Sequence, residues 1–83
     1  MALDTRGWLD RFTSALGAQP ITDEEVENLL ALAGIAAHAS ERKAAPVTCY
    51  LAARAGVSIP DALAIAQQLA DEIVEPGDPH DAD

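Results

Sequence analysis

The residues best suited to bind a ligand are concentrated in the middle of the chain. His38 and Arg42 are one helical turn apart and would share a helix face, and Lys43 follows directly. Thr48 falls in the first turn of a helix predicted to begin at Pro46, where free amides and the helix dipole favour an anion. The residues predicted to bind a small phosphate or carboxylate are therefore His38, Arg42, Lys43 and Thr48.

The same four residues also have a structural interpretation, which the sequence favours. Arg42 and Lys43 lie at the end of the preceding predicted helix, where cations stabilise the negative end of the dipole. Thr48 would then bond a local backbone group, and His38 would pack against neighbouring side chains.

Residue types that support catalysis or metal binding are scarce. Cys49 is the single cysteine, so no intrachain disulfide is possible, and a lone cysteine on a helix face is usually a small core residue. The second histidine, His80, lies in an acidic C-terminal segment, where it is expected to be solvated. A glycine-rich phosphate loop, a CxxC pair and an HExxH stretch are all absent from the sequence. We therefore predict a non-enzymatic protein without metal or cofactor.

Trp8 and Phe12 are the aromatic residues of the first predicted helix. They could be core aromatics, which an alanine-rich chain favours, or anchors for a protein partner, because tryptophan is enriched at interface hot spots. In the second case, the predicted docking surface is an apolar groove beside Trp8 or the face of the fourth helix.

Composition and charge restrict the possible partners. Alanine accounts for 18 of the 83 residues and hydrophobic residues for 49%, which predicts closely packed helices in one domain. The formal charge is 5 − 14 = −9, which disfavours nucleic acid and anionic membrane surfaces as partners. The first residues do not resemble a signal peptide and no apolar stretch is long enough to span a bilayer, so a cytoplasmic protein is expected.

Four helices can be predicted from apolar periodicity and end signals. The first begins at Asp4 or Thr5 and ends at Leu16, before Gly17. The second begins with the capping box Thr22–Glu25. The third runs from Pro46 to Ala55, and the fourth begins at Ser58. The predicted fold is an all-α, compact four-helix array with short loops over residues 1–76, followed by a disordered acidic tail over residues 77–83.

The apolar residues of these helices predict a core and an oligomeric state. The third helix is expected to bury Val47, Tyr50 and Leu51, and Gly34 is expected to mark a close crossing with another helix. The second and fourth helices are apolar over more than one face, and four short helices cannot easily cover all of it. A homodimer is therefore predicted.

Several of these residues also resemble a known family. The match comprises the Trp8–Leu9 helix ending at Leu16–Gly17, an acidic leucine-rich helix leading to Ala37–His38, the run Arg42–Thr48, then Tyr50–Leu51 and Gly56. It is similar to a small, uncharacterised bacterial helical domain that occurs alone or fused C-terminally to molybdenum cofactor guanylyltransferase. The resemblance implies an accessory role with a protein partner, plausibly one of molybdenum cofactor biosynthesis, and transfers no catalytic residues.

Overall fold

A computed structural model describes residues 3–73 as four α-helices. These are α1 (Thr5–Leu16), α2 (Asp23–Ala39), α3 (Ala44–Ala55) and α4 (Ile59–Ile73). Within residues 3–73 there is no β-strand. The predicted all-α, four-helix array with short loops is confirmed. The predicted acidic tail, residues 77–83, lies outside the described residues.

Both ends of α1 are formed by local hydrogen bonds, at the bounds that the sequence predicts. The Asp4 carboxylate accepts from the backbone N–H of Gly7 at 2.7 Å, which satisfies one free amide of the first turn. At the other end, Gly17 adopts a left-handed conformation with φ 70°. Its N–H donates to the carbonyl of Ser14 at 3.0 Å, which closes the last turn.

The starts of α2 and α4 also follow their sequence signals. The Thr22 hydroxyl accepts from the Glu25 N–H at 3.0 Å, and the Glu25 carboxylate accepts from the Thr22 N–H at 2.9 Å. This reciprocal pair is the predicted capping box. The Ser58 hydroxyl accepts from the Asp61 N–H at 3.2 Å and caps α4.

The predicted start of α3 at Pro46 is wrong by two residues, because the helix begins at Ala44. Ala45 is helical despite preceding a proline. Pro46 is the third helical residue, and its missing N–H costs nothing there because N–H groups of the first turn have no intrahelical acceptor.

Helix α2 is the centre of the packed unit and contacts both α3 and α4, which approach each other much less closely. Leu32 of α2 is 1% exposed, and Ala62 of α4 is the other buried residue among residues 3–73. The small alanine side chain lets α4 lie close to α2. The core is therefore a thin layer along one side of α2.

Two expectations about this core are wrong. Val47, Tyr50 and Leu51 of α3 are 46–62% exposed, since α3 packs mainly on α2 and approaches α4 much less closely. No atom beyond the local helix lies within 4 Å of the position that a Cβ at Gly34 would occupy. Gly34 therefore does not mark a close helix crossing.

Helix α1 stands apart from the other three helices. No Cα atom of α1 lies within 8 Å of a Cα atom of α2, α3 or α4. Trp8 and Phe12 are 56% and 48% exposed, so the core position that the sequence favours for them is not observed. Helix α1 is attached mainly through Arg6, whose guanidinium donates to the carbonyl of Ile21 and to the Asp23 carboxylate.

Candidate functional site

An apolar groove lies between α3 and α4, with α2 as its floor. Two cavities, of about 370 Å³ and about 200 Å³, share the residues Thr48, Ala66 and Leu69 and so form one continuous groove. We call it the α3–α4 groove. Its other lining residues are Leu32, Ile35, Ala36, Ala39, Ser40, Ala44, Leu51, Ala52, Val57, Ala62, Ile65, Ala70 and Ile73.

The groove arises from two neighbouring rows of side chains on α4. Ala62, Ala66 and Ala70 recur every four residues and are the more buried row, so α4 lies close to α2 at this row. Ile65, Leu69 and Ile73 form the second row, and each is more than half exposed. Residues four apart share one helix face, so this second row forms a continuous apolar wall.

The groove has the chemistry of a helix-binding site rather than that of an active site. Its polar side chains are Thr48 and Ser40, and the rest of the lining is aliphatic or alanine. The α4 side of the groove, from Ala62 to Ile73, is about 16 Å long at 1.5 Å per helical residue. That length accommodates three turns of an amphipathic helix, which binds through apolar residues spaced three and four apart.

The four residues predicted to bind an anion are not brought around one cavity. Thr48 is half-buried and lines both parts of the α3–α4 groove. His38, Arg42 and Lys43 are exposed and line neither part of that groove. Thr48 therefore faces an apolar surface rather than a cluster of cations.

The free amides that an anion would need at the start of α3 are also largely engaged. The Ala44 N–H donates to the Glu41 carbonyl at 2.9 Å, and the Ala45 N–H donates to the Arg42 carbonyl at 3.1 Å. Pro46 has no N–H. Because α3 begins at Ala44, Thr48 is its fifth residue and lies beyond the first turn. Anion binding stays a prediction, without a shared cavity or a free helix end to support it.

Comparison with protein families gives one match, to a domain of unknown function (DUF6457), over residues 2–78. This covers nearly the whole chain. The chain belongs to the DUF6457 family. The part of the sequence resemblance that concerns a small domain of unknown function is therefore confirmed. No curated protein and no solved structure matches the chain at a significant level.

Cys49 occupies a structural position in this DUF6457 domain. It is half-buried, and its Sγ lies 3.8 Å from the carbonyl oxygen of Leu29, to which the thiol donates. Burial raises the pKa of the Cys49 thiol, which lowers the thiolate fraction near neutral pH and opposes nucleophilic chemistry.

Residues 3–73 of the DUF6457 domain hold neither a metal-binding cluster nor a membrane-spanning helix. Among residues 3–73, no group of three His, Cys, Asp or Glu side chains is placed to hold a metal ion. None of the four helices has both the length and the apolar character needed to cross a membrane.

The outer face of α1 is a second apolar surface of the DUF6457 domain. The Trp8 and Phe12 rings are stacked, with centroids 5.6 Å apart. Sequence reasoning identified this pair but missed Arg6, which attaches α1 to the start of α2. The spacing of Arg6 and Asp10 is a helical i, i+4 signal, whereas the contact with Asp23 crosses a turn and has no sequence signature.

Proposed function

We propose that this domain is a non-enzymatic protein-interaction module whose α3–α4 groove binds an amphipathic helix. The observation that carries the proposal is the exposed row Ile65, Leu69 and Ile73, which lines an apolar groove with few polar side chains. Covering apolar surface contributes about 25 cal/mol per Å², so a helix laid along this row would be bound favourably. The groove includes the face of the fourth helix that the sequence predicts as a docking surface.

A non-enzymatic role is supported by the surroundings of the two side chains that could react, Cys49 and His38. The thiol of Cys49 is half-buried with a raised pKa, and His38 is exposed on the surface of α2. A nucleophile requires an adjacent base and an orienting group. The hydrogen bond of Cys49 to a backbone carbonyl provides neither.

The partner class is taken from the sequence resemblance. A similar domain fused to molybdenum cofactor guanylyltransferase supports an accessory role in molybdenum cofactor biosynthesis, in the cytoplasm where a partner of this kind would act. The net charge of −9 supports a protein partner over nucleic acid or an anionic membrane.

The experiment that tests this role is a binding titration with purified molybdenum cofactor guanylyltransferase from the same host. Wild type, Leu69→Ser and Leu30→Ser are compared by calorimetry. Leu30 is 66% exposed and does not line the groove, so Leu30→Ser is a matched control. We expect binding by wild type and Leu30→Ser, with affinity reduced at least about tenfold in Leu69→Ser.

Two results would contradict the proposal in different ways. If wild type does not bind the guanylyltransferase, the proposed role in molybdenum cofactor biosynthesis is wrong. Equal binding by wild type and Leu69→Ser removes the α3–α4 groove as the docking surface.

A further inference from the structure

We propose that the helix bound in the α3–α4 groove is α1 of a second copy of this chain, in a reciprocal dimer. Each copy inserts the Trp8 face of its α1 into the groove of the other. This inference rests on the proposed function, because it requires the groove to bind a helix, and it names the helix that fills the groove when no other partner is bound.

Helix α1 carries an apolar row that matches the groove in length. Trp8, Phe12 and Leu16 recur every four residues and are 48–62% exposed. This row spans about 12 Å at 1.5 Å per residue. The groove wall Ile65, Leu69 and Ile73 has the same spacing and the same span. Aligned rows at i, i+4 and i+8 are the pattern by which one helix packs against another.

The attachment of α1 keeps this row outside its own groove, since no Cα atom of α1 lies within 8 Å of a Cα atom of α2, α3 or α4. The Arg6 guanidinium donates to the Ile21 carbonyl at 3.0 Å and to the carboxylate of Asp23. Leu9 faces the start of α2 on the same side of α1 as Arg6, beside Val26. Trp8 and Phe12 project from a different side. Docking of α1 in its own groove would break the Arg6 contacts, whereas docking in a second copy leaves them intact.

The exposed apolar area of the proposed interface is sufficient for a stable dimer. Seven large apolar residues of the α1 row and the groove are 46–62% exposed. At roughly 150–200 Å² for each large side chain, they expose on the order of 600 Å² per chain. A standard stable interface buries about 800 Å² per partner, of which somewhat over half is apolar. The seven residues are Trp8, Phe12, Leu16, Leu51, Ile65, Leu69 and Ile73.

Symmetry and charge also favour a second copy over an unrelated helix. Each chain carries one apolar row on α1 and one groove, so a two-fold dimer buries both surfaces of both chains. Arg6 of α1 is already paired with Asp10 and Asp23, so Arg11 is the cation that α1 can offer to another copy. Helix α4 contains Asp61, Asp71 and Glu72 and no cation. An α1 docked along α4 therefore brings positive charge to an acidic helix.

The first test is the mass of the full chain in solution, measured by sedimentation equilibrium. We expect wild type and the control Leu30→Ser to have twice the 8.7 kDa chain mass. Phe12→Ser on α1 and Leu69→Ser in the groove should each raise the dimer dissociation constant more than about tenfold. An equimolar mixture of these two variants should regain part of the dimer, because one intact pairing of α1 with a groove remains possible. A monomeric wild type at high concentration overturns the proposal, as does a dimer that neither variant weakens.

The second test distinguishes docking between chains from docking within one chain. Phe12→Cys and Leu69→Cys are combined in a Cys49→Ser background, and the protein is oxidised and run on a non-reducing gel. A disulfide-linked dimer, absent from either single-cysteine variant, is the expected result. A monomer with an internal disulfide would place α1 in its own groove and overturn the proposal, and so would the absence of any disulfide.

A synthetic peptide of residues 3–18 separates failure of this inference from failure of the proposed function. We expect the peptide to compete with dimerisation and to shift the amide resonances of Leu69 and Thr48. If the peptide binds but the chain is monomeric, the groove binds helices and only the second-copy inference is wrong. If neither the peptide nor the guanylyltransferase binds, the proposed function is wrong as well.

Discussion

Trp8 stacks on Phe12 along α1, with ring centroids 5.6 Å apart and ring planes 10° from parallel. About half of each residue is nevertheless exposed. A stack of two rings covers one face of each ring, and no Cα atom of α2, α3 or α4 lies within 8 Å of a Cα atom of α1. An aromatic pair is therefore presented outward on the surface of this domain.

The single tryptophan makes this surface directly observable. Because Trp8 is 56% exposed in the isolated chain, its fluorescence should be that of a hydrated indole at low protein concentration. As concentration rises from about 1 µM to about 200 µM, mass action should fill the α3–α4 groove and shift the emission to shorter wavelength. The Leu69→Ser variant is the control and should show a weaker shift. Emission independent of wild-type concentration would contradict burial of Trp8 on self-association.

The Arg6 contacts should hold α1 in place. Replacing Arg6 with Ala removes hydrogen bonds to Ile21 and Asp23, so the amides of Thr5–Leu16 should exchange with deuterium faster. Arg11→Ala, on the same helix, is the matched control. The measurement is hydrogen–deuterium exchange by mass spectrometry at one protein concentration. Equal exchange of α1 in the two variants would show that Arg6 does not fix the position of this helix.

Gly34→Ala should stabilise the domain. The site is inside α2 and has open space where the Cβ would lie, so alanine gains helix propensity, about 0.5–1 kcal/mol, without a clash. Gly17→Ala is the contrasting variant, because φ 70° at Gly17 strains an L-residue by about 1 kcal/mol. Urea unfolding should give a higher free energy of unfolding for Gly34→Ala and a lower one for Gly17→Ala. A destabilised Gly34→Ala would mean that another helix does cover this site.

Leu32 should be the most sensitive position of the core. It is 1% exposed, and truncating such a leucine to alanine costs about 2–5 kcal/mol. The same change at Leu30, which is 66% exposed, should cost less than about 1 kcal/mol. Thermal unfolding followed by circular dichroism compares the two. If the two alanine variants lose similar stability, the buried layer of α2 does not dominate the stability of the domain.

Cys49 should react slowly with alkylating reagents and only at alkaline pH. Burial raises the pKa of its thiol, and the thiolate is the reactive form. The pH midpoint of alkylation should therefore be higher in the folded chain than in the same chain in urea, where the pKa returns to about 8.5.

The same shift predicts a change of stability with pH. Burial favours the neutral thiol in the folded state, so its contribution is complete below the unfolded-state pKa. It declines as pH rises from that value towards the folded-state pKa. Cys49→Ala should show a smaller decline over this window. An alkylation midpoint equal in the folded and unfolded chains would contradict both expectations.

The sequence by itself determined the helices that have local end signals. Asp4, the Thr22–Glu25 capping box and Ser58 each bond an amide three residues away, and Gly17 and Gly56 supply the left-handed ends. These interactions are complete within one turn, so they can be recognised without knowing the rest of the fold.

The candidate site was predicted in part. The face of α4 follows from the four-residue spacing of its apolar side chains, and Trp8 follows from its type. The anion site at Arg42 and Thr48 assumed that α3 starts at Pro46, because proline is common at the first helical position. The preceding turn, in which Ala44 donates to Glu41, starts the helix two residues earlier.

Only the tertiary structure decided which apolar faces are covered. Leu32 and Leu30 are equally apolar and two residues apart, yet one is 1% exposed and the other 66%. Periodicity shows that a helix has an apolar face, but coverage depends on where the other helices lie. Because α3 and α4 pack on α2 and Arg6 holds α1 aside, the groove and the Trp8 row are left uncovered. The contacts that set these positions join residues distant in sequence, so the sequence alone could not predict which faces would be covered.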